Sequence, residues 1–507
     1  MPLDPTSAQS FGLPYVTESD NPLPDQVIGY VSVQGTKSVF EPGVEALATS
    51  ARAYHAKQKD ISSVRKDLEA SGFLILAESK LGLSVAGSPA QFEELTGGEV
   101  RPIEQLMQTS RAKREYITCL DIVGSKQPQA MGVGLAKARS SKIDGVFLET
   151  PKQFHSVFPS PIPPPTSKYH LRLPGDVAMA LGAQGAKQKG YRGDGVKVVM
   201  ADSGWYRHPY FTSNKYHVLK PLVAIPDTDP SEDPVGHGTG ESANIFAIAP
   251  GAVLQPIRGT NKAGKFVGVV TAFLKGKALN PQIMTNSWGG DGPYPPARGP
   301  SPADLAFAAE VQDAIESGIL VIFSAGNGQF SVEPQIPGVL SAGGVFVDRA
   351  GALQASTYAS GYLSTWFKRN VVPTVCGLVG MQPRAQYLML PVQPGCQLDV
   401  SEAADEPEEA GDGTGSADGW ALFSGTSAAA PQVAGAAALV LGARPGLKPE
   451  QVIEALSKTA IDVLHGHSFP QRFNEPAGPG RDNATGWGLV NASGAVDYAL
   501  TTFSSRK

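Results

Sequence analysis

Cysteine is scarce in this 507-residue chain: Cys119, Cys376 and Cys396 are the only three, with no CxxC pair and no cysteine–histidine cluster. That count excludes a disulfide-built scaffold and a thiolate zinc site. It fits a reducing compartment, with a Cys376 to Cys396 bridge left open as an alternative. Charge of one sign is also missing. The 42 Lys and Arg stand against 47 Asp and Glu, a net charge of -5, and no basic stripe interleaved with aromatics occurs, so nucleic acid is not an expected partner. No run of eighteen apolar residues is present, so no membrane partner is expected. Met1 to Asp25 lacks the basic and apolar regions of a signal peptide; the chain as written is expected to be cytoplasmic, export by another route remaining open.

The length predicts two or three domains. Residues 1–45 mix Pro, Gly, Ser and Asp without periodicity and read as an irregular arm. Residues 46–150 read as a small α+β module. Val64 and Leu68 stand at helical spacing in Ile61 to Ala70, and Pro89 to Leu95 opens a second helix after Ser88. Phe73 to Ala77, Leu81 to Ala86, Glu115 to Val123 and Val146 to Leu148 are candidate strands. Residues 151–175, containing the run Pro159 to Thr166, are a proline-rich linker and the clearest domain boundary.

From 176 to 507 the fold class predicted is α/β, a mainly parallel sheet flanked by helices. A helix is expected over Asp176 to Lys189. Val196 to Ala201, Val253 to Ile257, Ile283 to Asn286 and Ile319 to Ser324 read as buried strands, alternating with helices at Val267 to Leu279 and Pro302 to Ser317. Residues 346–420 break the alternation and read as a loop-rich insertion. Its acidic stretch, Glu402 to Asp418, is expected to be solvated; structural calcium is compatible with it but no ligand spacing calls for the ion.

Ligand sites in open α/β sheets lie off the carboxyl ends of the strands, which gives weight to polar residues there. Asp202 ends a strand before Ser203-Gly204, where it reads either as a turn former or as a carboxylate in a site. His237 lies between two glycines in Gly236-His237-Gly238-Thr239-Gly240, either as a loop histidine or as a base that other groups approach closely. Asn327, in Ser324-Ala325-Gly326-Asn327-Gly328, is a turn residue or an amide donor to an oxyanion. Ser427 stands in Gly425-Thr426-Ser427-Ala428-Ala429-Ala430-Pro431, a small-residue turn running into an alanine-rich helix that Thr426 could cap. Pro431 supplies no N–H to the Ser427 carbonyl, a defect that a helix built only for stability would avoid. Together the four residues supply a nucleophile, a base, an orienting carboxylate and an oxyanion donor, the set that acyl transfer requires.

Those blocks, in the order Asp, His, Ser, resemble the subtilisin-like serine peptidases, the subtilase family. Val196 to Gly204 resembles the aspartate block, Gly236 to Thr239 the histidine block, Ser324 to Asn327 the oxyanion block and Gly425 to Pro431 the serine block. Asn286-Ser287-Trp288-Gly289-Gly290 resembles the family's edge segment that pairs with substrate backbone, and Gly486 to Asn491 its closing segment. Ser203 in place of the usual threonine and Gly240 in place of the usual histidine are departures.

The resemblance implies an Asp202–His237–Ser427 triad, an oxyanion site at Asn327, and substrate binding by Ser287, Trp288, Gly289, Ala325 and Gly326. It implies no metal and no cofactor for catalysis, and a protein or peptide substrate. Leu83 to Phe92 resembles prodomain sequence, which implies that the amino-terminal module is an intramolecular inhibitor and chaperone of a zymogen. A peptide ligase or macrocyclase, and a catalytically silent peptide-binding scaffold, are the alternative expectations.

Overall fold

A computed structural model describes residues 16–38, 40, 50–108, 114–124, 133–134, 142–154, 170–226, 228–348, 350–367, 370–381, 387–403 and 412–503. The linker run Pro159 to Thr166 and residues 404–411 of the acidic stretch lie outside these residues.

The amino-terminal part is built on a five-stranded antiparallel sheet in the order Leu74–Glu78, Gly82–Gly87, Val27–Val33, Ile143–Leu148, Val133–Gly134. Alternation along these strands divides their side chains between two faces. Val31, Val33, Val85, Val146 and Leu148 pack with Ile61, Val64 and Leu68 of the helix Gln58–Ala70 and with Phe92 of the helix Pro89–Thr96. Tyr30 and Phe147 point the other way, into a core shared with the helices Val269–Ala278 and Pro302–Glu316 of the larger domain. Ser88 caps its helix with a reciprocal capping box involving Gln91, as the sequence predicts.

Two parts of this module differ from expectation. Val27–Val33, assigned by sequence to an irregular arm, is the central strand. Gly29 hides the strand signal and serves packing, since a Cβ there would lie 2.7 Å from the Phe92 ring. Glu99–Gln108, a ten-residue strand paired with Arg114–Val123, went unpredicted because Pro102 and its charged residues obscure the alternation.

The larger domain is organised on a nine-stranded sheet. Its main path runs His217–Val218, Val253–Arg258, Lys197–Asp202, Ile283–Asn286, Leu320–Ser324, Leu340–Val347, Leu353–Ala355, parallel except for the last pair. Residues buried on both faces of the central strands make them continuous apolar runs. The histidine helix (His237–Ile248) and the serine helix (Thr426–Ala443) pack against each other on one face. The serine helix is long and apolar enough to cross a membrane by composition, but 89% of it is buried within the protein.

The helix expected over Asp176 to Lys189 is two short helices, Gly175–Ala180 and Gln184–Gln188, because Gly182 takes a left-handed conformation between them. The stretch 346–420 is also less irregular than predicted. Val375–Leu378 joins the main sheet beside Leu340–Val347, and Tyr387–Pro391 pairs with His170–Leu171 and Trp420–Phe423. Short strands separated by Gly and Pro leave little periodicity to read. All three cysteines are buried and free, so the Cys376 to Cys396 bridge is absent.

Candidate active site

The parallel sheet delivers Asp202, Asn286 and Ser324 to the carboxyl ends of three adjacent strands. Asp202 and His237 meet directly: His237 Nδ1 lies 2.7 Å from Asp202 Oδ1, both side chains buried. A carboxylate only accepts, so Nδ1 carries the proton and Nε2 is the basic nitrogen of the neutral ring. The Ser203 N–H also donates to Asp202 Oδ1, at 2.7 Å. The close approach depends on small residues in the histidine helix. A Cβ on Gly238 would lie 2.3 Å from the Gly204 carbonyl oxygen and 3.0 Å from Asp202 Cβ; one on Gly240 would lie 2.5 Å from the Phe423 ring. Gly240 therefore admits Phe423 beside the imidazole, with ring centroids 6.3 Å apart.

Burial by itself pulls the His237 imidazole down. The charge and hydrogen bond of Asp202, with Glu241 and Asp233 nearby, outweigh that and hold it above the usual histidine range.

Asp233 is a structural residue of the site that sequence reasoning missed. Its Oδ1 accepts from Ser203 Oγ at 2.7 Å and from the Gly236 N–H at 2.9 Å; its Oδ2 accepts from the Thr239 N–H and Oγ1. Ser203 Oγ in turn accepts from the Gly238 N–H at 2.8 Å. The hydroxyl at position 203 thus ties the aspartate strand to the histidine helix. The only sequence signal was an acidic residue shortly before the helix, where it complements unpaired N–H groups.

Ser427 is the second residue of its helix, where the backbone N–H has no partner inside the helix. Gly425, at φ 102°, takes the N-cap position without a side-chain bond, so Thr426 is not the expected cap. Its hydroxyl joins the loop that carries Gly326 and Asn327 instead. Thr426 N–H and Oγ1 donate to Asn327 Oδ1 at 2.9 and 3.1 Å, and the Gly326 N–H donates to Thr426 Oγ1 at 3.1 Å. A backbone N–H can only donate, so the Asn327 oxygen is fixed towards Thr426 and the donating end of the amide is the one directed elsewhere. The geometry brings Asn327 and the serine turn together.

Ser287 faces Ser427: Ser287 Oγ donates to the Ser427 carbonyl at 2.9 Å, and Ser427 Oγ donates to the Ser287 carbonyl at 3.1 Å. The neighbouring edge, Trp288–Gly289, pairs antiparallel with Gln153–Phe154, from the start of the segment 151–175 that the sequence assigns to the linker. Trp288 offers only its backbone to that edge, since its indole is buried, donating to the Ala201 carbonyl at 2.9 Å. Ala325 is buried in an aromatic cluster with Phe330 and Tyr362, and Gly326 contributes its N–H to the loop just described. Among the described residues no group of three or more His, Cys, Asp and Glu side chains is placed to hold a metal ion.

The sequence model of the Subtilase family matches residues 193–488, more than half of the chain and all four blocks of the site. The chain belongs to the subtilase family. It is 27% identical over 355 residues to a probable subtilase-type serine protease of Deinococcus radiodurans, covering 62% of this chain and 42% of that protein. With fervidolysin of Fervidobacterium pennivorans it shares 27% over 270 residues, covering 52% and 33% of the two chains. With subtilisin E of Bacillus subtilis it shares 26% over 294 residues, covering 55% and 64%. The subtilase chain thus spans less than two thirds of each of these relatives. The crystal structure of fervidolysin superposes with a TM-score of 0.54 at 18% identity, covering 96% of this chain and 63% of that one, a likeness of fold. The fold is subtilisin-like, with a smaller domain preceding it.

Proposed function

We propose that this subtilase is a serine endopeptidase, acting through an acyl-enzyme on Ser427 and made as a zymogen. The observation that carries the reading is the buried 2.7 Å contact between Asp202 and His237, which fixes the tautomer that general-base catalysis needs. His237 Nε2 takes the Ser427 proton as Oγ attacks a peptide carbonyl, then gives it to the leaving amine. The oxyanion forms beside the helix amino terminus, where the Ser427 N–H and the Asn327 amide stabilise it. No metal or cofactor enters these steps.

The zymogen reading is supported by contacts of the amino-terminal module and of the segment that follows it. The Gln153–Phe154 backbone, at the start of the region 151–175, occupies the edge at Trp288–Gly289, which would pair with an extended peptide substrate. Glu149 lies at the start of the helix Val269–Ala278 and accepts from the Val270 N–H at 3.2 Å, and Lys152 pairs with buried Glu333 at 3.0 Å. The module is thereby an intramolecular inhibitor, removed by cutting in the region 151–175.

Incubation of the purified chain with a peptide library, with and without an added amine, tests the reading by product mass. Hydrolysis products that disappear in Ser427→Ala support it. Amine adducts exceeding hydrolysis products would make the protein a ligase, and turnover unchanged in Ser427→Ala would exclude Ser427 as the nucleophile.

A further inference from the structure

The histidine helix carries a second carboxyl group beside the base. Glu241, one turn after His237, is wholly buried, and its Oε1 stands 3.8 Å from His237 Nε2, the nitrogen on the side away from Asp202. Among the described residues Oε1 has no hydrogen-bond partner. The orientation is fixed from behind by a chain of amides. Gln432 on the serine helix accepts from the Leu378 N–H at 2.7 Å and donates to the Leu378 carbonyl at 3.0 Å, which sets its amide. The same nitrogen of Gln432 lies 3.4 Å from Asn244 Oδ1, and Asn244 Nδ2 donates to Glu241 Oε2 at 3.0 Å. With Oε2 accepting from Asn244, a proton on this carboxyl sits on Oε1, the oxygen that faces Nε2.

We propose that Glu241 is a positioning residue for the histidine base, its buried carboxyl coupled by charge across 3.8 Å to His237 Nε2, so that its ionisation shifts the point at which the base can accept the Ser427 proton. With Glu241 ionised, the imidazolium is flanked by two carboxylates, Asp202 and Glu241, and holds its proton to higher pH. With Glu241 neutral, only Asp202 supports the imidazolium, and the neutral base forms at lower pH. Burial pushes Glu241 up to about 8, which places its titration in the range where the base works.

Other ionisable groups around the pair are few. Asp202 faces it from the central strand, and Asp233 from the loop before the helix. The serine helix has no ionisable side chain. The strand Tyr387–Pro391 has only Tyr387, and the helix Gly175–Ala180 only Asp176, which accepts from Arg172. Cys396, next to Gly236, is a buried thiol pushed up to about 12.

The proposal rests on His237 as base and Ser427 as nucleophile, and its test separates the two ideas. The rate of Ser427 labelling by a fluorophosphonate is measured against pH in the full chain, in Glu241→Gln and in Asn244→Leu. Removing the second carboxylate takes away support for the imidazolium. Glu241→Gln is therefore expected to move the rising limb to lower pH by about one unit, raising the rate below the limb about tenfold. Asn244→Leu, which removes the donor that favours ionised Glu241, is expected to move it the same way by less, and it serves alone if Glu241→Gln does not fold. A purely structural role would lower thermal stability without moving the limb. Ser427-dependent labelling with an unmoved limb in the folded variants overturns the proposal and leaves the peptidase reading standing. Labelling that is absent, or independent of Ser427, overturns both.

Discussion

Ser287 and Ser427 exchange two hydrogen bonds, each hydroxyl donating to the other residue's backbone carbonyl, at 2.9 and 3.1 Å. One of these repairs a defect written into the sequence. Pro431 has no N–H for the Ser427 carbonyl, and the Ser287 hydroxyl supplies the missing donor. The serine turn is thus fastened to the edge segment by the carbonyl that its own helix cannot satisfy.

Ser287→Ala is expected to destabilise the fold by about 1–3 kcal/mol, the cost of leaving a buried carbonyl unpaired. In a Pro431→Ala background the loss should shrink, because residue 431 then offers its own N–H. Denaturant unfolding of the four proteins of this cycle measures the coupling. Additive losses would show that the two positions act separately.

Asn327→Ala removes the amide proposed as oxyanion donor, whose oxygen end Thr426 fixes. Its kcat should fall by roughly 10²–10³-fold with KM little changed, the loss typical of removing one side-chain donor from an oxyanion hole. Thr426→Val, which frees the Asn327 oxygen without removing the amide, should lower kcat by a smaller factor. Steady-state kinetics on a peptide substrate separates the two.

The base must be neutral to accept a proton. Because Asp202 and the neighbouring carboxyl groups hold the His237 imidazolium above its usual range, activity should rise with pH through a value higher than about 6.5. Asp202→Asn removes the main support, so the limb should move to lower pH while the maximum rate drops by about 10⁴-fold. A pH profile of kcat/KM checks both effects.

The blocks that hold Asp202, His237, Asn327 and Ser427 were legible in sequence because each is a short stretch of glycines and small residues at a strand or helix end. The parallel sheet was legible as well, since strands buried on both faces are unbroken apolar runs such as Val198 to Ala201. What the sequence concealed is contact-dependent. Asp233 and Glu241 carry no motif, and their roles arise from which N–H groups and which imidazole nitrogen the fold brings near them. Val27–Val33 was hidden by Gly29, whose missing side chain makes room for Phe92. The reading of Trp288 stopped at its place in the edge segment, while the fold turns its ring into the core and leaves only its backbone exposed to a partner strand.

The amino-terminal module is held by a buried polar cluster at the two helices that face it. Tyr30 Oη donates to Glu310 at 2.5 Å, Lys277 pairs with Glu310 and Asp313 at 2.6 and 2.7 Å, and His55 meets Asp313 at 2.6 Å. Lys277→Met leaves two carboxylates without their cation and is expected to loosen the module, which should appear as faster processing. Ser427→Ala should remain a full-length chain of 53.0 kDa under the conditions in which the parent protein is cut. Time-resolved intact-mass analysis reads both.

The central claim is that Ser427 is a nucleophile activated by His237 and Asp202. Covalent labelling of the active protein with a fluorophosphonate, followed by peptide mapping, tests it most directly. The account predicts one modified site, Ser427, with labelling lost in Ser427→Ala and strongly slowed in His237→Ala. Labelling on a different residue, with peptide hydrolysis intact in Ser427→Ala, would contradict it.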